Sequence, residues 1–266
     1  MLTTIESIEY FACGYCTNQK QRLFKGVPKE TIHFPAGVFL IKHREHGYIL
    51  YDTGYAPEIM SPNLKYWIYR LPNPITMTPS QAISVQLNQR GISPQSINYL
   101  ILSHLHPDHI GQVKDFPNAK IIMTKTCFED YQKKYLQALV FKEFLPDDFE
   151  KRVITIENYQ DNKNFPHLPS YDFFGDQSIL FTELSGHAAG QCCLFFPEKS
   201  LFLAADVAWG VPLIPLTKQM RLIPRLLQNN IDQYQNSIQV LEQLQNAGID
   251  IIVSHDQEER IERVLR

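Results

Sequence analysis

The 266-residue sequence predicts an α/β fold, and three features carry that expectation. Apolar residues make up 44% of the chain against 20% charged, which suits a sizeable buried core. Apolar periodicity switches several times between two, the strand period, and 3.6, the helix period. No repeat, low-complexity tract or long Gly/Ser linker interrupts it, so residues 1–266 read as one domain.

The elements follow in order. Strands are expected over residues 8–12, 37–42 and 48–52, the last two joined by a polar turn ending in His46-Gly47, so the chain opens on β-hairpins. A helix over 80–89 has Ser80 as its cap, Ile83 and Leu87 at helical spacing, and Gly91 as its stop. Residues 99–102, Tyr-Leu-Ile-Leu, form a strand apolar on both faces that runs into Ser103-His104. A strand at 119–123, a helix at 128–144, and strands at 178–183, 192–196 and 201–205 come next. The last helix carries Ile231, Tyr234, Ile238, Leu241 and Leu244 on one stripe and closes at Gly248. A strand over 249–253 then delivers Ser254-His255. Ligand sites in layered α/β folds favour the carboxyl ends of strands, where these histidines fall.

Charge narrows the partner. With 25 Lys+Arg against 28 Asp+Glu the net charge is −3, so overall charge predicts neither a nucleic acid nor an anionic membrane as partner, and a small molecule is expected. Apolar stretches such as Val38-Phe39-Leu40-Ile41 end far short of the roughly 20 residues of a membrane span. The opening residues have neither the basic nor the apolar region of an export signal, and a cytoplasmic location is expected. Five cysteines are an odd number, and the neighbours Cys192 and Cys193 would face opposite sides of a strand, so reduced thiols are expected. Cys13 and Cys16, in Cys-Gly-Tyr-Cys, have no second such pair and read as ordinary thiols. His33, His43, His46 and His167 lack matching neighbours and read as surface or hydrogen-bonded residues.

The segment Ser-His-Leu-His-Pro-Asp-His places His104, His106, Asp108 and His109 within six residues. Pro107 keeps it out of a regular helix interior, and a loop lets its side chains converge. Imidazole and carboxylate suit zinc, iron(II) or manganese. His187, Asp206 and His255 sit at further strand ends. Seven candidate ligands are too many for one tetrahedral ion and suit two that share a carboxylate and a water.

These residues resemble the metallo-β-lactamase-fold hydrolases, whose His-x-His-x-Asp-His signature, followed by a distant His, Asp and His, is met here in order. The resemblance implies a four-layer αββα sandwich. It makes His104, His106 and His187 ligands of a first metal, Asp108, His109 and His255 ligands of a second, and Asp206 the bridge. Asp52, in Leu-Tyr-Asp-Thr-Gly, would orient one ligand from behind. Two divalent transition-metal ions are expected, zinc first, with iron or manganese as alternatives. A shared water deprotonated near neutral pH attacks a carbonyl or phosphorus centre, and Asp108 carries a proton to the leaving group. His106 stands where di-iron redox relatives carry a carboxylate, which favours hydrolysis.

Within that superfamily the sequence is most similar to the quorum-quenching acyl-homoserine lactonases, which implies opening of an acylated lactone ring. Two positions depart from them. Gln191 replaces the second histidine of Gly-His-x-x-Gly-His, and Trp209 replaces a tyrosine three residues after the bridging aspartate. Another ester, a thioester of the glyoxalase II kind or a phosphodiester stay open as substrates, as does a metal-bearing binding protein with little turnover. Trp67, Tyr69 and Trp209 are candidate pocket residues, the first two within Tyr66-Trp67-Ile68-Tyr69 and Leu71. Residues 211–216 form a second apolar stretch. Both stretches suit core packing or a homodimer face equally well. Lys218, Arg221 and Arg225 suit a carboxylate or phosphate, or a solvated helix face.

Overall fold

In the computed structural model, which describes residues 3–133 and 139–266, the strands divide by their place in the chain. β1 (Ile5–Gln19), β2 (Thr31–His43), β3 (Gly47–Tyr51), β4 (Ile75–Thr76), β5 (Ile97–Ile101), β6 (Lys120–Thr124) and β7 (Val153–Ile156) form one sheet, in the order β4-β1-β2-β3-β5-β6-β7. β8 (Gln160–Asn162), β9 (Phe165–Asp172), β10 (Leu180–Glu183), β11 (Cys192–Phe196), β12 (Leu201–Leu203) and β13 (Asp250–Ile252) form the other, in the order β13-β12-β11-β10-β9-β8. The expected hairpins are β1, β2 and β3, which pair antiparallel, while β5, β6 and β7 extend the sheet in parallel from β3.

Side-chain alternation sets the layers. Phe39, Ile41, Ile49 and Ile101 of the first sheet meet Phe181, Cys192, Leu194 and Leu203 of the second. Their neighbours Leu40, Leu50 and Leu100 turn outward onto Ile83, Leu87 and Phe149. Cys193, Phe195 and Phe202 turn outward from the second sheet onto Tyr234, Ile238 and Leu241 of the helix Ile231–Asn246. Because successive strand residues point to opposite faces and both faces are apolar, each sheet is covered twice, and the layers run helix, sheet, sheet, helix. This is the expected αββα sandwich. Cys192 therefore lies between the sheets and Cys193 under the helix, and all five cysteines are free thiols.

Several boundaries differ from expectation for local reasons. The helix over 80–89 is split: Thr78, with Gln81 reciprocating, caps a 3-10 turn Pro79–Gln81, Ala82 is extended, and the helix runs Ile83–Gln89. Ser80 is thus inside a turn and does not cap. The helix expected over 128–144 begins earlier, as Lys125–Gln132, because the Thr124 side chain accepts from the Cys127 N–H. Residues 134–138 of that stretch lie outside the described residues, and it ends in a 3-10 turn, Lys142–Phe144. Residues 211–216 belong to the 3-10 helix Val211–Gln219, whose Leu213 and Ile214 are buried in the core beside the Ile231–Asn246 helix. Those two side chains pack the interior, while Pro212 and Pro215 of the same stretch are exposed.

Three backbone features aim residues at the same end of the sandwich. Asp52 after β3 and Ala205 after β12 are left-handed, at φ 64° and 44°, conformations that non-glycine residues hold only under surrounding constraint. Gly186 has φ +135°, and a Cβ there would lie 2.2 Å from the Tyr234 backbone nitrogen. That close approach seats the His187 loop on the helix start. Gly186→Ala is expected to cost about 3 kcal/mol through backbone strain and overpacking, read as a lowered midpoint in urea unfolding; an unchanged midpoint would show that the loop yields freely.

Candidate metal centre

The histidine motif follows β5. Contrary to the expected loop, Pro107–Ile110 is one helical turn, with Pro107 in its first turn, where its missing N–H costs nothing, and His106 at the N-cap. The turn presents Asp108 and His109 from the first sheet, next to His104 and His106. From the second sheet come His187 in the β10–β11 loop, Asp206 after β12 and His255 after β13. The seven residues expected to act together are brought together.

They fall into two groups. His104, His106 and His187 each direct one ring nitrogen to a common point, His106 Nδ1 lying 3.0 Å from both His104 Nε2 and His187 Nε2. Asp108, His109, Asp206 and His255 form the second. Asp206 touches both: its Oδ2 is 2.8 Å from His255 Nε2 and 3.5 Å from His187 Nε2, and its Oδ1 is 3.3 Å from His109 Nε2.

Hydrogen bonds behind the rings decide which nitrogen is free. His109 Nδ1 donates to Asp52 Oδ2 at 2.7 Å, and His255 Nδ1 donates to the Pro35 carbonyl at 2.6 Å. His187 Nδ1 donates to Gln228 Oε1 at 3.0 Å, the amide being fixed by its own donation to the Pro224 carbonyl. Ser103 gives its hydroxyl proton to Asp52, so its oxygen accepts from His104 Nδ1 at 3.0 Å. All four rings therefore turn an Nε2 lone pair inward when neutral. His106 alone points its Nδ1 inward.

Electrostatics agrees with that reading. Burial and mutual repulsion with His109 hold His104 well below the usual imidazole range, and burial does the same to His106 and lowers His187. The lone pairs of His104 and His187 both converge on His106 Nδ1, which as an N–H satisfies only one of them and as a lone pair satisfies neither. In the second group burial opposes charge, yet Asp206 and Asp108 together push His255 up to about 9 and raise His109. Burial alone would raise Asp206, but His255 and His109 pull it well below the carboxylate range. The carboxylates thus call for positive charge, which protons or a cation can supply. His109 Nε2 and Asp206 Oδ1 are buried without a hydrogen-bond partner although they face each other, which suits a cation between them. The residues present fit two metal ions.

Both groups open on a cleft of about 1040 Å³. Its floor includes His106, Asp108, His187, Asp206 and His255, and its walls include Tyr55, Tyr69, Leu71 and Trp209. Trp67 does not line it. On the helix Leu64–Arg70, Tyr66 faces the core, and Trp67, one position on, is rotated about 100° into solvent and is 52% exposed. Gln191 is also away from the cleft, fully buried with its Nε2 on the Ala204 carbonyl. Cys16 lines the cleft, but burial, Asp108 and Asp206 push its thiol up to about 12, so it is no thiolate. Gln228 and the Pro35 carbonyl were not foreseen; no sequence motif marks either.

A third grouping, His43, His46 and Asp176, differs in kind. His43 Nδ1 accepts from the Glu45 and His46 N–H groups, both at 3.2 Å, so Nε2 keeps the proton and donates to Asp176 at 3.0 Å. Both nitrogens are used, and the group ties a corner of the fold.

A family model described as the metallo-beta-lactamase superfamily matches residues 34–249. The chain belongs to that superfamily. Proteins it is similar to include the N-acyl homoserine lactonase AttM of Azorhizobium caulinodans, 26% identical over 234 residues, 84% of this chain and 82% of that protein. The metallo-hydrolase mfmC of Annulohypoxylon moriforme is 27% identical over 173 residues, 61% of this chain and 44% of its own length, so the match spans less than half of it. The solved structure of B. thuringiensis AiiA with N-decanoyl-L-homoserine bound at its active site gives a TM-score of 0.71 at 20% identity, over 98% of this chain and 97% of that one. That likeness shows the fold.

Asp52, fully buried, accepts from the Ser103 N–H at 2.8 Å, from the Ser103 hydroxyl at 2.7 Å and from His109 Nδ1 at 2.7 Å. Asp52→Asn removes the charge that fixes the His109 tautomer and is expected to weaken zinc binding by about 10–100-fold, measured by competition with a chromophoric chelator. Unaltered affinity would show that His109 needs no such support.

Proposed function

We propose that the protein is a binuclear metal-dependent hydrolase that opens an acylated lactone ring. One observation carries this reading: inward-facing lone pairs of neutral imidazoles, sharing Asp206 with a second His/Asp group, at the floor of a cleft with apolar and aromatic walls. The lactonase activity of AttM supports the choice of ester. His104, His106 and His187 would hold one ion, Asp108, His109 and His255 the other, and Asp206 would contact both. Two divalent ions held there would supply a shared water of lowered pKa and a Lewis acid for the scissile carbonyl, and zinc suits the all-nitrogen first group.

The chain's own residues supply the rest. Asp108 faces the cleft, where in this reading its carboxylate takes the proton that the attacking water loses and hands it to the alkoxide that leaves when the ring opens. Trp209 stands on the wall where the lactonases carry tyrosine, and its indole N–H can donate but its ring brings no hydroxyl. Tyr69 supplies one from another wall: burial keeps its phenol neutral, Tyr55 hydrogen bonds to it, and it lies within reach of the Asp108 charge. In this reading Tyr69 donates to the carbonyl oxygen as charge develops on it. Arg22, Lys29 and Arg221 also line the cleft and favour, as second reading, an ester that carries an anionic group, a phosphodiester included.

The test is a panel of acyl lactones, thioesters and phosphodiesters offered to the metal-loaded protein, with products read by mass spectrometry. The expected outcome is the hydroxy acid from acyl lactones; intact lactones with another reporter cleaved would replace this reading by the second. Asp108→Ala is expected to abolish turnover while Cys13→Ala, a buried thiol outside the cleft, leaves it near wild type; equal losses in two folded variants would mean the chemistry is misplaced. Tyr69→Phe is expected to lower kcat by about 10² to 10³, the cost of one oxyanion donor, with KM little changed; an unaltered kcat would remove Tyr69 from the reaction.

A further inference from the structure

We propose that the mouth of the cleft is a docking surface for an anionic lipid bilayer. Two segments build one side of that mouth. Neither residues 10–29 nor residues 207–231 contain Asp or Glu, in a chain whose net charge is −3. The two are stitched together: Phe24 bridges to Met220, the Lys25 N–H donates to the Gln219 carbonyl at 2.9 Å, and the Arg221 N–H donates to the Leu23 carbonyl at 2.8 Å. Their cations therefore share a surface. Arg22, Lys25, Lys29, Lys218 and Arg225 are exposed and, among the described residues, make no salt bridge.

Apolar side chains stand among those cations. On the short helix Leu222–Leu226, only Pro224 is buried, while Leu222, Ile223 and Leu226 are 69%, 72% and 74% exposed. Leu71, which also lines the cleft, is 58% exposed. Exposure this high on successive large apolar residues carries a hydration cost that an aqueous role does not repay. Apolar tips interleaved with uncompensated cations match the two signals that hold a peripheral protein on an anionic membrane: insertion below the headgroups and attraction to lipid phosphates. A second copy of this chain is a poorer occupant, because a two-fold interface would set each basic patch against its twin.

The placement bears on access to the cleft. Arg221, Ile223, Leu227 and Leu71 line the cleft and are also exposed to solvent. An amphiphile could pass from the leaflet into the cleft with its alkyl chain in contact with apolar side chains throughout. Docking is independent of which bond is then hydrolysed.

The test is co-sedimentation of the full-length protein with vesicles of phosphatidylglycerol and phosphatidylcholine, against phosphatidylcholine alone. The expected result is binding to the anionic vesicles that falls at least about tenfold as salt rises to about 1 M, where the Debye length shrinks to about 3 Å. Leu222→Gln/Ile223→Gln/Leu226→Gln and Lys25→Gln/Lys218→Gln/Arg225→Gln should each lower it at least about tenfold, with melting temperatures unchanged because these side chains are exposed. Equal binding to both vesicles, binding to neither, or variants that bind as wild type would overturn the proposal. A dimer in sedimentation velocity that the triple leucine-patch variant dissociates would assign the surface to self-association instead.

Discussion

Four imidazoles at the centre of this protein give their Nδ1 protons to acceptors behind them, and the site depends on that one-way hydrogen bonding. Asp52, Ser103, Gln228 and the Pro35 carbonyl take those protons. Each ring is thereby fixed in orientation before any ion arrives, and in tautomer whenever it is neutral. A free imidazole would divide its population between two tautomers and several rotamers, and the cost of ordering it would fall on binding. Here that cost is borne by the fold, where each donor meets an acceptor within ordinary hydrogen-bond distance.

The two groups of ligands meet because two sheets meet at their ends. His104, His106, Asp108 and His109 come from the first sheet, and His187, Asp206 and His255 from the second, so the separation of the sheets sets the separation of the ligands. Direct bonds clamp that separation. The Cys192 N–H donates to the Ser103 carbonyl at 2.8 Å, the Tyr51 hydroxyl to the Cys192 carbonyl at 2.7 Å, and the Gly37 N–H to the Ser254 carbonyl at 3.1 Å. Buried carboxylates such as Asp52 and Asp206 would be costly alone, and both are surrounded by donors or cationic partners. The left-handed backbone at Asp52 and Ala205 belongs to the same arrangement, since it lies where the chain leaves β3 at Asp52 itself and leaves β12 just before Asp206.

What the sequence made legible is what local spacing encodes. The histidine motif is readable because its four ligands lie within six residues, and the later ligands because each follows an apolar strand. The alternation at Cys192 and Cys193 placed one residue on each face, and the structure puts them in different cores. Contacts made across the fold left no such trace. Gln228 meets His187 from 41 residues away, on a segment with no motif of its own. Trp67 and Tyr69 look alike in an apolar run, and only the register of the Leu64–Arg70 helix separates one facing solvent from one facing the cleft. Strands β8 and β9, at the edge of the second sheet, pair through polar stretches whose hydrophobic pattern is weak.

The most direct measurement is a crystal structure of the zinc-loaded protein with anomalous diffraction at the zinc edge. The account requires two peaks, one among His104, His106 and His187 and one among Asp108, His109 and His255, with Asp206 between them. It also requires His104, His109, His187 and His255 to approach through Nε2, and His106 through Nδ1. A single peak, or ligation through the nitrogens now bonded to Asp52, Gln228 or Pro35, would contradict it.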